Sequence, residues 1–144
     1  MATVEVSFTP LPAHVRTARL VATAVARRSG VAESLLDEVR LAVGEACSRA
    51  VEAHRVHCPA EPVRIALTSL AGRFEVEVTD TGPAARASAA GSGSASNGEG
   101  TGLPPGFGIA VIAGLADNVE VSESATGTSI RMSWPSSGPE KLGP

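Results

Sequence analysis

The sequence predicts a two-layer α/β sandwich, a mixed, mainly antiparallel sheet covered by three helices. Three observations carry that expectation. Apolar residues alternate at period two in five short segments, they recur at helical spacing in three others, and nearly every alternating segment is apolar on one face only.

The elements follow in order. Val4, Val6 and Phe8 alternate with polar neighbours, which makes residues 3–8 a strand with one buried face. Leu11, Val15, Ala18, Val21, Ala22 and Val25 recur at helical spacing, so residues 12–28 form an amphipathic helix that Gly30 ends. A second helix is expected over 32–54, with the stripe Leu35, Leu36, Val39, Ala42, Val43, Ala46 and Ala50. Its early turns carry Glu33, Asp37 and Glu38 and its end carries Arg49 and Arg55, the polarity that a helix dipole favours. After Pro59 the period becomes two. Val63, Ile65 and Leu67 alternate, Ala71-Gly72 turns the chain, and Phe74, Val76 and Val78 oppose Glu75 and Glu77. Residues 84–105 are Ala, Gly and Ser with almost no large apolar side chain, a mobile loop that can add little core. A short helix over 106–115 and strands over 119–122 and 128–134 complete one domain, residues 1–134. Residues 135–144 read as a flexible tail.

Composition narrows the function classes. The 144 residues suit one domain able to bury a core, and 43% hydrophobic with 19% charged residues is ordinary for a globular protein. A net charge of −3 leaves no basic footprint for direct nucleic-acid binding. No apolar run approaches the roughly 20 residues that span a bilayer. The first ten residues alternate instead of forming a secretory signal, so a cytoplasmic location is expected. Lys141, in the tail, is the only lysine. P-loop NTPases and eukaryotic-type protein kinases, which need a lysine on the phosphates, are thereby excluded. Cys47 and Cys58 are the only cysteines and are expected as reduced thiols. His54, His57 and Cys58 match no recognised zinc spacing, and are read as a helix end running into a surface loop; no metal site is assigned.

Three places can carry chemistry. Asp80 ends a buried strand in Val78-Thr79-Asp80-Thr81-Gly82. An ionised Asp only accepts hydrogen bonds, which suits a ligand N–H donor such as the exocyclic amine of adenine. Gly82 allows the backbone close to a flat ring. Gly106-Phe107-Gly108 opens the third helix, where exposed backbone N–H groups at the positive dipole end favour phosphates. The order of these two motifs, with the mobile loop between them as a lid, would bracket a nucleotide between base and phosphates. Gly127-Thr128 adds a hydroxyl that could face the same pocket. On the second helix Glu45 and Arg49, four residues apart, share a face and read as a surface ion pair.

These motifs resemble the GHKL ATPase superfamily, and within it the bacterial anti-sigma factors that are serine-protein kinases. The likeness covers residues 3–134. It is strongest in Glu45-Ala46 followed by Ala50-Val51, in Asp80-Thr81-Gly82, in the run from Gly106 to Val119, and in Gly127-Thr128-Ser129-Ile130. The resemblance implies that Glu45 helps activate the nucleophile and that Asp80 holds adenine. It also implies that Gly82, Gly106 and Gly108 line the pocket and lid, with Phe107 between them, and that Thr128 lies beside the nucleotide. Arg19, in the Ala18-Arg19 pair, would contact a partner, and Arg16 belongs to the same basic face with Arg27 and Arg28. The implied function is an anti-sigma regulatory factor that binds a sigma factor and is released by an anti-anti-sigma factor. ATP or ADP is the implied ligand. Members of this family often dimerise, although no residue pattern here requires a homodimer.

Two departures matter. The Mg²⁺-binding asparagine of the family falls at Arg49, which has no lone pair to offer a cation. Pro83 and the Ala-rich segment replace the usual second glycine near Gly82. Phosphoryl transfer depends on metal neutralisation of phosphate oxygens, so impaired or absent kinase activity is expected. The alternative is an active serine-protein kinase that phosphorylates the anti-anti-sigma factor with ATP. Arg49 itself could contact phosphates or pair with Glu45.

Overall fold

The computed structural model of the chain describes residues 2–81 and 107–137. The expected lid at 84–105, Gly82, Pro83, Gly106 and most of the expected tail lie outside the described residues.

The order is β1 (Ala2–Phe8), α1 (Pro12–Arg28), α2 (Glu33–His57), β2 (Val63–Leu70), β3 (Arg73–Asp80), α3 (Phe107–Leu115), β4 (Asn118–Ser124) and β5 (Gly127–Pro135). Each element that periodicity implied is present. α2 ends at His57, three residues beyond the expected end at 54, and His54 continues its buried face beyond Ala50 and Val51.

The five strands form one sheet in the order β1-β2-β3-β5-β4. All four pairings among the described residues are antiparallel, so the mixed component expected from sequence does not occur there. β5 lies between β3 and β4. One face of the sheet is dry. Leu67, Val76 and Met132 sit opposite one another across β2, β3 and β5, as do Ile65, Val78 and Ile130, and all are buried. Phe74 and Trp134 pair across β3 and β5, and the Trp134 indole donates 3.1 Å to the Leu115 carbonyl, which ties α3 to the sheet. Burying such an indole while its N–H stays bonded contributes area at no polar cost.

The other two described helices, α1 and α3, both pack on α2, which also contacts β2 and β3. α1 starts with Pro12 at its first position, where the missing N–H is not needed. It ends in a Schellman turn. Val31 N–H donates to Ala26 O and Gly30 N–H to Arg27 O, with Gly30 at φ +92°, a conformation that costs a side chain dearly. Its buried Val15, Ala18, Ala22 and Ala26 are small enough to bring α1 close to α2. Beyond β5, Ser136 N–H donates to Gly72 O and Ser137 N–H to Gly30 O, so the start of the expected tail is fastened to two turns. No helix among the described residues is long and apolar enough to cross a membrane.

Candidate nucleotide site

The dry face of β3 and β5 ends in two polar residues. Asp80 follows Phe74, Val76 and Val78 at the strand period, so its side chain leaves on their side, and it is 5% exposed. Thr128 precedes Ile130, Met132 and Trp134 in the same way and is 3% exposed. The two are direct cross-strand partners, a geometry that sets their Cβ atoms roughly 4.5–5.5 Å apart. Thr128 Oγ1 is buried and finds no hydrogen-bond partner among the described residues. An orphaned hydroxyl of this kind costs about 1–3 kcal/mol unless a ligand or water completes it. Gly127 brings the two strand ends together, its α-carbon packed on the Asp80 carbonyl at φ +154°.

A cleft of about 500 Å³ opens at this end of the sheet. Asp80, Thr81, Gly127 and Thr128 line it, with Cys58 and Glu61 on one side and the β4–β5 hairpin on the other. It has room for a purine, and its residues offer what a base edge needs: a carboxylate to accept, and a hydroxyl with free capacity to donate or accept. The lining does not extend to Glu45, Arg49 or Gly108.

Glu45 and Arg49 lie on α2, before His54, and Gly108 lies at the start of α3. Glu45 is half-buried and reaches the start of α3, for a Cβ built on Gly108 would stand 2.6 Å from its Oε2. The expected pairing of Glu45 with Arg49 is not formed. The described ion pairs are Arg27–Glu33, Arg40–Asp37, Arg55–Glu52, Arg73–Asp117 and Arg131–Glu120, all at the surface. Arg49 stays half-buried on the turn after Glu45. Among the described residues no group of three or more His, Cys, Asp or Glu side chains could hold a metal. Arg49, on the turn after Glu45, has no lone pair to offer a cation.

Arg16 is exposed on α1, whereas Arg19 is half-buried, its Cδ 2.8 Å from where a Cβ on Gly44 would be. The α1 face therefore begins one residue from Glu45 on the neighbouring helix. Arg19 also lies near Cys47, whose thiol burial pushes up to about 12, against the opposing pull of the Arg19 charge. Phe107 is the first residue of α3.

Sequence reasoning missed His54. It was expected near a surface loop, but it is fully buried, with Nδ1 2.8 Å from Glu61 O and Nε2 3.0 Å from Thr81 N. The signal was present: His54 falls four residues after Ala50 and seven after Cys47, on the buried stripe of α2. Cys58 was likewise unassigned and lines the cleft, its Sγ 3.7 Å from Thr81 Oγ1.

Comparison with known proteins agrees with the fold. No curated protein matches the chain. A solved structure, the RsbU and RsbW domains of Rv1364c from Mycobacterium tuberculosis, superposes with a TM-score of 0.68 at 17% identity. The match covers 99% of this chain but 35% of that one, and at this identity it establishes the fold. The model of the histidine kinase-like ATPase domain matches residues 8–134, from the end of β1 to Trp134. This chain therefore belongs to the histidine kinase-like ATPase domain family.

Proposed function

We propose that the protein binds an adenine nucleotide and acts as an anti-sigma regulatory factor with impaired or absent kinase activity. In this reading Asp80 and Thr128 take the base, and Gly82, Gly106, Phe107 and Gly108 surround the phosphates at the start of α3. The observation that carries the nucleotide half is the buried Thr128 hydroxyl, unpartnered among the described residues and directly across from Asp80 in an open cleft. Helix geometry supports the rest. His54, beside the base end, and Glu45, beside Gly108, are nine residues apart on α2, a rise of roughly 14 Å, which suits an extended nucleoside triphosphate. The phosphates would meet backbone N–H groups at a helix start and the Arg49 guanidinium, which binds oxyanions well.

The regulatory half rests on the family and on motif resemblance. The protein would bind an alternative sigma factor through the α1 face that carries Arg16 and Arg19, and an anti-anti-sigma factor would release it, in the cytoplasm. A homodimer is compatible with this scheme. Glu45 would be left with little catalysis to perform, because Arg49 occupies the position of the metal ligand. Calorimetry with ADP and ATP, with and without Mg²⁺, tests the proposal on wild-type protein and on Arg49→Asn. The expected result is metal-independent binding by wild type and Mg²⁺-enhanced ATP binding by the variant. Tight, strictly Mg²⁺-dependent ATP binding by wild type would overturn the impaired-kinase reading.

The alternative is an active serine-protein kinase. One observation favours it: Glu45 is not tied up by Arg49 and points at the start of α3. Incubating the protein with its anti-anti-sigma partner and ATP separates the two, since only a kinase yields phosphoserine.

A further inference from the structure

We infer that His54 is a positioning residue for the base subsite, holding the backbone just beyond Asp80 in place; this inference rests on the nucleotide reading above. The imidazole is 0% exposed, and both ring nitrogens are used. Glu61 O can only accept, so Nδ1 carries the proton and donates to it across 2.8 Å. Thr81 N–H can only donate, so Nε2 is bare and accepts from it across 3.0 Å. The hydrogen bonds therefore specify one neutral tautomer. No other side chain bridges these two points with one donor and one acceptor on a rigid ring.

The placement gives the bridge its role. Thr81 is the residue after Asp80, and Glu61 and Thr81 both line the cleft. β3 ends at Asp80, so beyond it the sheet no longer fixes the chain. His54 takes over there, from the same helix that presents Glu45 to Gly108. One rigid element thus registers the base end and the phosphate end against each other. An aliphatic residue at this position on the stripe would pack equally well, but it would leave Thr81 unanchored.

Two substitutions split the bridge. His54→Gln places an amide oxygen where Nε2 was and can keep Thr81, whereas His54→Asn reaches only the Nδ1 position and keeps Glu61. Long-range ¹H–¹⁵N NMR on wild-type protein reads the tautomer and needs no variant; the Nδ1–H form is expected, and the Nε2–H form overturns the inference. Hydrogen exchange at the Thr81 amide should be slow in wild type and H54Q and fast in H54N. Calorimetry should show ADP binding about five- to tenfold weaker in H54N, with its preference over GDP narrowed by a similar factor, and within about twofold of wild type in H54Q. A merely structural role would lower both affinities in step with Tm and leave the ADP-to-GDP ratio unchanged. Wild-type protein that binds no ADP overturns the nucleotide reading and this inference with it. Wild-type binding matched by H54N overturns this inference alone.

Discussion

The α-carbon of Gly127 rests on the backbone carbonyl of Asp80, with no room for a side chain between them. A Cβ there would also stand 2.9 Å from Thr81 Cα, and the φ of +154° is one that other residues rarely adopt. All the clashing atoms are backbone, so no side chain can swing away. Gly127→Ala is expected to destabilise the protein by roughly 2–4 kcal/mol in urea unfolding and to weaken ADP binding, because the strand ends must part beside Asp80. A loss below about 0.5 kcal/mol would show that the two strand ends are not held in this contact.

Thr128→Val should move stability and binding in opposite directions. The valine keeps the branched shape and removes a buried oxygen that has no partner among the described residues. Unliganded protein should hold its stability or gain about 1 kcal/mol, while ADP affinity falls about tenfold, because the hydroxyl is the part a ligand completes. Thermal unfolding with and without ADP measures both. Destabilisation of the unliganded protein by more than about 1 kcal/mol would count against an orphaned hydroxyl.

Gly108→Ala probes the other end. The new methyl would push on Glu45 Oε2, the tip of a flexible side chain, so the fold can yield cheaply. Alanine also favours the helix by up to about 1 kcal/mol over glycine. Stability should therefore be unchanged or raised, while the Glu45 carboxylate is displaced and nucleotide affinity drops. A marked fall in Tm would mean that Glu45 cannot move aside.

Cys47 gives a pH signature. Its thiol is raised from 9.0 to about 12 by burial, so the folded protein keeps a proton that the unfolded chain releases above pH 9. The folded state then binds more protons, and stability falls as pH rises. Below pH 9 the contribution is whole; between pH 9 and about 12 it is lost at about 1.4 kcal/mol per pH unit. Cys47→Ala removes this dependence, so the stability gap between wild type and variant should narrow steadily above pH 9. Parallel stability curves for the two proteins from pH 8 to 10.5 would contradict the shift.

The legible parts of the candidate site were the ones written in short motifs. Asp80 and Gly127-Thr128 could be read because a polar group or a glycine interrupts an alternating apolar run at its end. Gly108 could be read because small residues open a helix. His54 was not legible as a site residue. Its two partners lie 7 and 27 positions away, and only the buried stripe of α2 hinted that it faces inward. The surface pair expected from the spacing of Glu45 and Arg49 failed for a related reason. Helical spacing makes such a pair possible, whereas the approach of α3 gave Glu45 another neighbour.

By itself the sequence determined the secondary structure, the side of each strand that is dry, and the residue types that stand at the candidate site, because periodicity and turn chemistry are local properties. Only the tertiary structure decided that β5 enters between β3 and β4, which sets Thr128 opposite Asp80, and that α2 carries His54 to Thr81 and Glu45 to Gly108. Those pairings join positions distant in the chain, and they are selected by packing the whole dry face at once, so no local stretch of residues encodes them.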